Sequence, residues 1–334
     1  MQVVVLAGGI GSRLRPWTQE IPKPLLPMLD KTLLEQVISA VPNNLIDEVV
    51  VAGGYKVDQI KKYFSDSHFD FDITIVPEEK PLGTGGALGN CSDVVSGTFA
   101  CFNGDIISSL NVEDLLNLHR SNGGIGSLGL WNVKDPSRFG IVGLDKESKI
   151  TKFKEKPKPD EVFSNLINAG SYIFEEDIFD YIPSGKNSIE RQVFPHLAED
   201  RLLNGLPFSG FFIDSGTSKS WCDAVRTCIE NNRFTSGEIC GKSWFESPNS
   251  KVELGSIISN SMIEKNTDIK KSKIENSTIL SGSKISSNVH LQSSLIGNNV
   301  VIGKNCIISN SIINHNSTIP DDTVLTDSKW PLTD

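Results

Sequence analysis

From Val252 onward, apolar residues come singly, five or six positions apart: Ile258, Ile263, Ile269, Ile274, Leu280, Ile285, Leu291, Ile296, Ile302, Ile308, Ile313, Ile319 and Leu325. An amphipathic helix needs them three and four apart, and a half-buried strand needs them two apart. Grouped in threes, this spacing fits a solenoid of short strands with three flat sides and one inward Ile, Val or Leu per side. Asn260-Ser-Met-Ile, Asn276-Ser-Thr-Ile and Asn310-Ser-Ile-Ile begin alike, with Gln292-Ser-Ser-Leu between them. Asn and Gly at the corners tolerate the left-handed backbone such turns require. So regular a period sets this tail apart from a disordered polar one.

The first ~235 residues alternate short apolar runs with helical patterns, which predicts an α/β domain with a largely parallel sheet. Strands are expected over 2–7, 48–52, 72–76, 98–102 and 126–131, then 150–154, 169–174 and 210–213. Helices are expected over 33–40, 57–64 and 112–119. Gly237–Ser250 breaks the rhythm and reads as a linker, giving domains 1–236 and 251–334. The tail resembles the hexapeptide repeat of left-handed β-helices.

Composition narrows the function. The chain has 334 residues and a net charge of −9, which disfavours a nucleic-acid partner but leaves room for a nucleotide. No apolar run approaches the ~20 residues of a membrane span. The N-terminus enters a strand directly, without a basic flank and cleavable apolar region, so a cytoplasmic protein is expected. Six cysteines (Cys91, Cys101, Cys222, Cys228, Cys240, Cys306) show no CxxC pairing and read as buried thiols rather than a zinc site.

The chemistry starts at Val5–Pro16, VLAGGIGSRLRP. A glycine-rich turn after a strand offers backbone N–H groups to a phosphate, and a following helix N-terminus adds positive charge. The stretch is neither a dinucleotide fingerprint nor a P-loop, and taken alone it also reads as an ordinary turn. Arg13 and Lys23 flank it, with Lys23 bracketed by Pro22 and Pro24. Asp105 follows a strand in Asn103-Gly104-Asp105, where it reads as a ligand or a helix cap. Asp214 reads as a ligand or a turn acid. Glu155 and Lys156 stand in a charged run that also suits a solvated edge strand.

Gly9-x-Gly11-x-Arg13-x-x-Pro16, followed by Pro22-Lys23, resembles the sugar nucleotidyltransferases, the nucleoside-diphosphate-sugar pyrophosphorylases. The resemblance continues through Pro81–Leu88 (PLGTGGAL, with Gly85 for the usual Ala), Asn103–Asp105, Phe139–Val142, Glu155–Pro157, Asn168–Gly170 and Asp214–Ser218. The last block departs from the usual DIGTP at Ser215 and Ser218. The hexapeptide tail is a common appendage of this family. The fold implied is a Rossmann-like α/β nucleotidyltransferase domain with a mostly parallel mixed sheet, plus a C-terminal left-handed parallel β-helix.

The resemblance implies attack of a sugar-1-phosphate on the α-phosphate of a nucleoside triphosphate, releasing pyrophosphate. It implies Arg13, Lys23 and Asp105 as catalytic residues, and Asp105 with Asp214 as ligands of Mg²⁺. It implies Leu6, Ala7, Gly8, Gly9, Gly11, Ser12, Arg13, Glu78, Pro81, Gly83 and Thr84 at the nucleotide. Gly140, Glu155, Lys156, Asn168 and Gly170 fall to the sugar phosphate. Relatives using uridine or thymidine triphosphate commonly carry Gln five residues before the glycine matching Gly83; here that place holds Glu78. A carboxylate only accepts hydrogen bonds, which suits the two donors on the guanine edge. Mannose-1-phosphate guanylyltransferases share this pattern, and their Ser-Ile-Glu…Phe-Pro segment is similar to Ser188–Pro195. A heptose-1-phosphate guanylyltransferase shares the Gly-Thr-Gly-Gly variant.

Other readings are a glucose-1-phosphate uridylyl- or thymidylyltransferase, a non-catalytic regulatory subunit, and an acyltransferase tail using His290 or His315. The joint presence of Arg13, Lys23, Asp105 and Asp214 disfavours the regulatory subunit. Neither histidine sits in a recognisable catalytic segment. Arg15 carries no compelling role, and His119 reads as a surface helix residue. The solenoid's exposed faces point to a homo-oligomer.

Overall fold

A computed structural model describes residues 1–240 and 243–331. Gly241 and Lys242 in the expected linker, and 332–334 at the solenoid's end, lie outside the described residues. The chain packs as two compact units, Met1–Gly9 with Val37–Phe212, and Ile10–Gln36 with Ile213–Asp334. Packing thus groups Ile10–Gln36, expected within a 1–236 domain, with the C-terminal part.

The first unit is built on nine strands: β1 (Gln2–Leu6), β2 (Glu48–Gly53), β3 (Asp72–Pro77), β4 (Phe99–Asn103), β5 (Gly126–Asn132), β6 (Gly140–Leu144), β7 (Ile150–Glu155), β8 (Leu166–Phe174) and β9 (Leu203–Pro207). The main order is β7-β6-β8-β4-β1-β2-β3. β1 pairs in parallel with both β2 and β4, so Val4 sits between Val50 and Cys101. β8 runs antiparallel to β4, β5 and β6. Val3, Val4 and Val5 are fully buried, as expected for a strand covered on both faces. Strand order reverses at β1, between β2 on one side and β4 on the other. Ligands of open α/β sheets bind at the carboxyl ends of strands at such a point.

The helices are α1 (Trp17–Glu20), α2 (Leu33–Ile38), α3 (Val57–Ser65), α4 (Gly83–Gly89), α5 (Val112–Asn122), α6 (Phe194–Glu199) and α7 (Ser218–Glu230). On α5, Val112, Leu115, Leu116 and His119 recur at helical spacing and are all buried. His119 is therefore not a surface residue. Its Nδ1 lies 2.9 Å from Ser127 Oγ and its Nε2 2.9 Å from Glu175 Oε1.

In the second unit, the strands of the periodic tail stack in parallel into three sheets of seven, five and five members, the seven including two strands that precede the tail. This is the β-helix that the spacing predicts. Successive coils place Ile274, Leu291, Ile308 and Leu325 in register. Equivalent residues such as Ser309 and Thr326 stand 17 apart, one short of three sixes. Ile263, Ile269, Ile274, Ile285, Leu291, Ile296, Ile302, Ile308, Ile313 and Ile319 fill the interior. Ile279 takes the inward place expected for Leu280, which is buried just past the strand. Corner residues Asn260, Asn276 and Asn310 adopt positive φ of 49°, 48° and 49°.

The stretch expected as a linker contains strands Glu238–Cys240 and Trp244–Glu246, an antiparallel pair that opens the seven-stranded sheet. Fully buried Phe245 pairs with Met262, so the solenoid begins inside this stretch. Five cysteines are buried thiols, but Cys240 is only partly covered, because its strand closes the end of the sheet.

Candidate active site

In the first unit, the loop after β1 begins where Ala7 N–H donates to Ala52 O (2.8 Å). Gly8 lies against Glu78, and a β-carbon there would overlap Glu78 Oε1. Glu78 follows β3, anchored by its own N–H to Gly53 O (2.7 Å). Its Oε2 accepts from Leu82 N–H (3.0 Å). Its Oε1 is buried without a hydrogen-bond partner among the described residues. Burial pushes this carboxyl above the usual range, and the Leu82 N–H pulls the other way.

The PLGTGGAL segment turns into α4 at Gly83, whose φ of +75° favours glycine. Side chains on Gly83 or Gly85 would collide with Asn187, and one on Gly86 with the Gly185 carbonyl. Gly85, the departure from the family's Ala, is thus where α4 closes on Asn187. Thr84 Oγ1 donates to Glu190 Oε2 (2.5 Å) and accepts from Ile189 N–H (3.2 Å). Ser188 Oγ also donates to Glu190. Glu190 lies on a one-turn π-helix, Ile189–Val193, a distortion frequent at functional sites. Sequence reasoning singled out the Ser188–Pro195 segment without giving Glu190 a role.

Asp105 follows β4 and is half-buried. Gly104 N–H donates to Leu6 O (3.0 Å), so the Asn103–Asp105 turn crosses the end of β1 beside Leu6 and Ala7. Pro81 and Gly9 are exposed.

The residues expected at the sugar cluster around β6, β7 and β8. Gly140 faces Glu155 in register, and the space beside its α-carbon is filled by the Phe153 ring and the Glu155 carboxylate. Burial, and then the Glu190 charge, pushes Glu155 above the usual carboxylate range, while Lys156 counteracts them. Lys156 Nζ stands 3.6 Å from Glu155 Oε1, and its side chain is 58% exposed. Asn168 donates to Tyr172 OH (2.9 Å) and accepts from Gly170 N–H (3.0 Å). Gly170, at φ +64°, abuts Asn103.

In the second unit, Gly11 has φ +67° and opens a short 3-10 turn, Ser12–Leu14. Its carbonyl accepts from Thr18 Oγ1 (2.9 Å) and Leu14 N–H (3.0 Å). A β-carbon on Gly11 would stand 2.9 Å from Thr18 Cγ2 and 3.1 Å from Lys23 Cβ. Lys23 is 7% exposed, whereas Ser12 and Arg13 face solvent. The Arg13 guanidinium and Asp214 Oδ1 both lie against Gly216, where a side chain would displace them. Asp214 Oδ1 accepts from Gly216 N–H (2.9 Å). Thr217 then caps α7, with Ser220 N–H donating to its Oγ1 (3.1 Å). Ser218, where the family has Pro, is the first residue of α7, a position that takes either residue.

Asp105 in the first unit and Asp214 in the second each offer carboxylate oxygens, the hard donors that divalent metal ions take. The only cluster of three or more metal-binding side chains among the described residues is Glu238, Cys240 and Glu246. Burial and the hydrogen bond to Glu246 push the Cys240 thiol up to about 12.

The sequence profile described as nucleotidyl transferase matches residues 2–231, and that described as GMPPB C-terminal domain matches residues 241–330. A mannose-1-phosphate guanylyltransferase of Mycobacterium tuberculosis is 37% identical over 66% of this chain and 62% of its own length. A mannose-1-phosphate guanyltransferase of Saccharomyces cerevisiae is 34% identical over 66% of this chain and 63% of its own. The chain thus spans a little under two thirds of these relatives. A crystal structure of HddC from Yersinia pseudotuberculosis superposes with a TM-score of 0.57 at 25% identity, covering 67% of this chain and 97% of that one.

Proposed function

Since the chain belongs to the nucleotidyl transferase family, we propose that it transfers a guanylyl group from GTP to mannose-1-phosphate, releasing pyrophosphate. The observation that carries the choice of base is Glu78: a buried carboxylate with one oxygen held by Leu82 and the other, beside the glycine loop, without a partner among the described residues. An unpaired buried acceptor favours a ligand that brings donors, as the guanine edge does. The names of the relatives from M. tuberculosis and S. cerevisiae support the same sugar and base.

In this reading an oxygen of the sugar phosphate attacks the α-phosphorus. The bond from that phosphorus to the bridging oxygen breaks, and pyrophosphate leaves with the electron pair. Both reactants are anions, so the chain's task is to neutralise and align them. Gly8, Gly9 and Gly11 leave backbone accessible to the nucleotide, together with Leu6, Ala7, Ser12, Pro81, Gly83 and Thr84. Arg13 and Lys23 offset negative charge on the phosphates about to leave. Lys156 meets the sugar phosphate, and Glu155 and Asn168 the hydroxyls; Gly140 and Gly170 shape that pocket. Asp105 and Asp214 would hold Mg²⁺, which supplies further positive charge at the phosphate oxygens when bound.

We place the protein in the cytoplasm, where free thiols persist. Among the described residues, no helix is long and apolar enough to cross a membrane. Association runs through the β-helix face carrying exposed Ile257, Ile307 and Val324. Ile307→Lys with Val324→Lys should lower the mass seen by light scattering, and an unchanged mass refutes that face as the contact.

The deciding experiment is a matrix of nucleoside triphosphates against sugar-1-phosphates, read by pyrophosphate release. GTP with mannose-1-phosphate should be the fastest pair. A faster pair built on UTP or dTTP would overturn the base assignment.

A further inference from the structure

The segment carrying Arg13 and Lys23 packs in the same compact unit as the β-helix, and one corner of that solenoid grips it. Trp17 is fully buried, and its Nε1–H donates to the carbonyl of Ile313 (2.9 Å). The indole stacks on the His315 imidazole, with centroids 5.9 Å apart and planes 24° apart, and meets Trp221 edge-on at 6.5 Å. The His315 ring is fixed in turn, because its Nδ1 accepts from Asn298 N–H (2.9 Å) on the neighbouring coil. Between them, Asn314 Nδ2 donates to Glu20 Oε1 (2.8 Å). Three consecutive β-helix residues therefore engage the two ends of α1.

From α1 the path to the proposed chemistry is short. Thr18, next to Trp17, holds the Gly11 carbonyl, and Gly11 begins the turn that presents Arg13. The Gly11 α-carbon also abuts the Lys23 side chain. A buried indole N–H needs its acceptor, so Ile313 O sets the depth and rotation of Trp17 rather than merely covering it. Cationic groups serve a phosphoryl transfer only when a rigid supporting layer fixes them to within a fraction of an ångström.

We propose that the β-helix corner Ile313–Asn314–His315 positions the triphosphate-binding arm, so that Trp17, Glu20 and His315 are positioning residues for the transfer. The proposal rests on the reading that Arg13 and Lys23 meet a triphosphate. It gives His315 a structural task in place of an acyltransferase base.

The test uses the full chain and three variants. Trp17→Phe keeps a buried ring and deletes the N–H. Glu20→Ala removes the surface acceptor, and Glu20→Gln retains one. Initial rates of pyrophosphate release are measured against GTP at saturating mannose-1-phosphate and the reverse, beside thermal unfolding. Trp17→Phe and Glu20→Ala should each lower kcat/KM for GTP about three- to tenfold. KM for mannose-1-phosphate should hold, and Glu20→Gln should restore wild-type values. Wild-type kcat/KM for GTP in both weakened variants overturns the proposal. So does a fall in kcat alone that tracks the fraction of unfolded protein. A wild-type chain that releases no pyrophosphate from any pair refutes the transferase reading itself, and this inference with it.

Discussion

Glu78 Oε1 occupies the space in which a side chain on Gly8 would stand. The loop that closes the first strand and the acid that closes the third are thus in direct contact. Gly8→Ala should push Glu78 off the loop and misplace it by about a bond length. Misplacement of that order costs roughly ten- to a hundredfold in kcat/KM. Steady-state kinetics against GTP should show the loss while circular dichroism stays native. Wild-type kinetics would mean that Glu78 does not serve the nucleotide.

Glu78→Gln tests base choice at the same contact. The amide can keep an oxygen for Leu82 N–H, but it then presents NH₂ where Oε1 now stands. Two donors would face the guanine edge, whereas uracil and thymine offer an acceptor there. The ratio of kcat/KM for GTP over UTP should fall about a hundredfold, as expected when a polar contact is mismatched in a binding site. An unchanged ratio would leave Glu78 without a part in recognition.

Gly85→Ala probes a contact that sequence reasoning saw only as a departure from a family pattern. The added methyl would overlap Asn187 Oδ1, a buried atom that itself lacks a hydrogen-bond partner among the described residues. Overpacking of this kind costs about 1–3 kcal/mol. Urea unfolding should show that loss, and Asn187→Ala in the same chain should recover much of it. Equal stability of Gly85→Ala and wild type would show that the Ser188–Pro195 segment yields to α4 rather than closing on it.

What the sequence disclosed follows from how local each signal is. The β-helix was legible because each coil buries one residue per side, so its period survives in the order of residues. β1, Asn103–Asp105 and the glycine loop were legible because apolar runs and turn glycines are local. The antiparallel half of the sheet is set by pairings of β8 across distant residues, which no window contains. His119 reads as a surface residue because its ring is polar, although it completes the buried face of α5 at helical spacing. Strands were missed in 237–250 because Phe245 draws its cover from Met262 in the next coil. Glu190 and Trp17 were not legible at all. Their hydrogen-bond partners are Thr84, 106 positions away, and Ile313, 296 positions away.

His315 gives the fold a defined pH response. Burial holds its ring below the ordinary value of 6.5, against the pull of the Glu20 charge and the Trp17 backbone. Its Nδ1 already receives the Asn298 N–H, so a proton there would set two donors face to face. Well above 6.5 the ring is neutral in both folded and unfolded chains, and no stability is lost. As pH falls through that value, the unfolded chain takes up a proton that the folded one refuses, and stability declines until the folded-state value is reached. His315→Gln removes this linkage while offering an oxygen to Asn298. The drop in melting temperature from about pH 7.5 to about pH 5.5 should therefore be smaller in His315→Gln than in the wild type. Equal drops would show that the ring takes up its proton without disturbing the corner that holds Trp17.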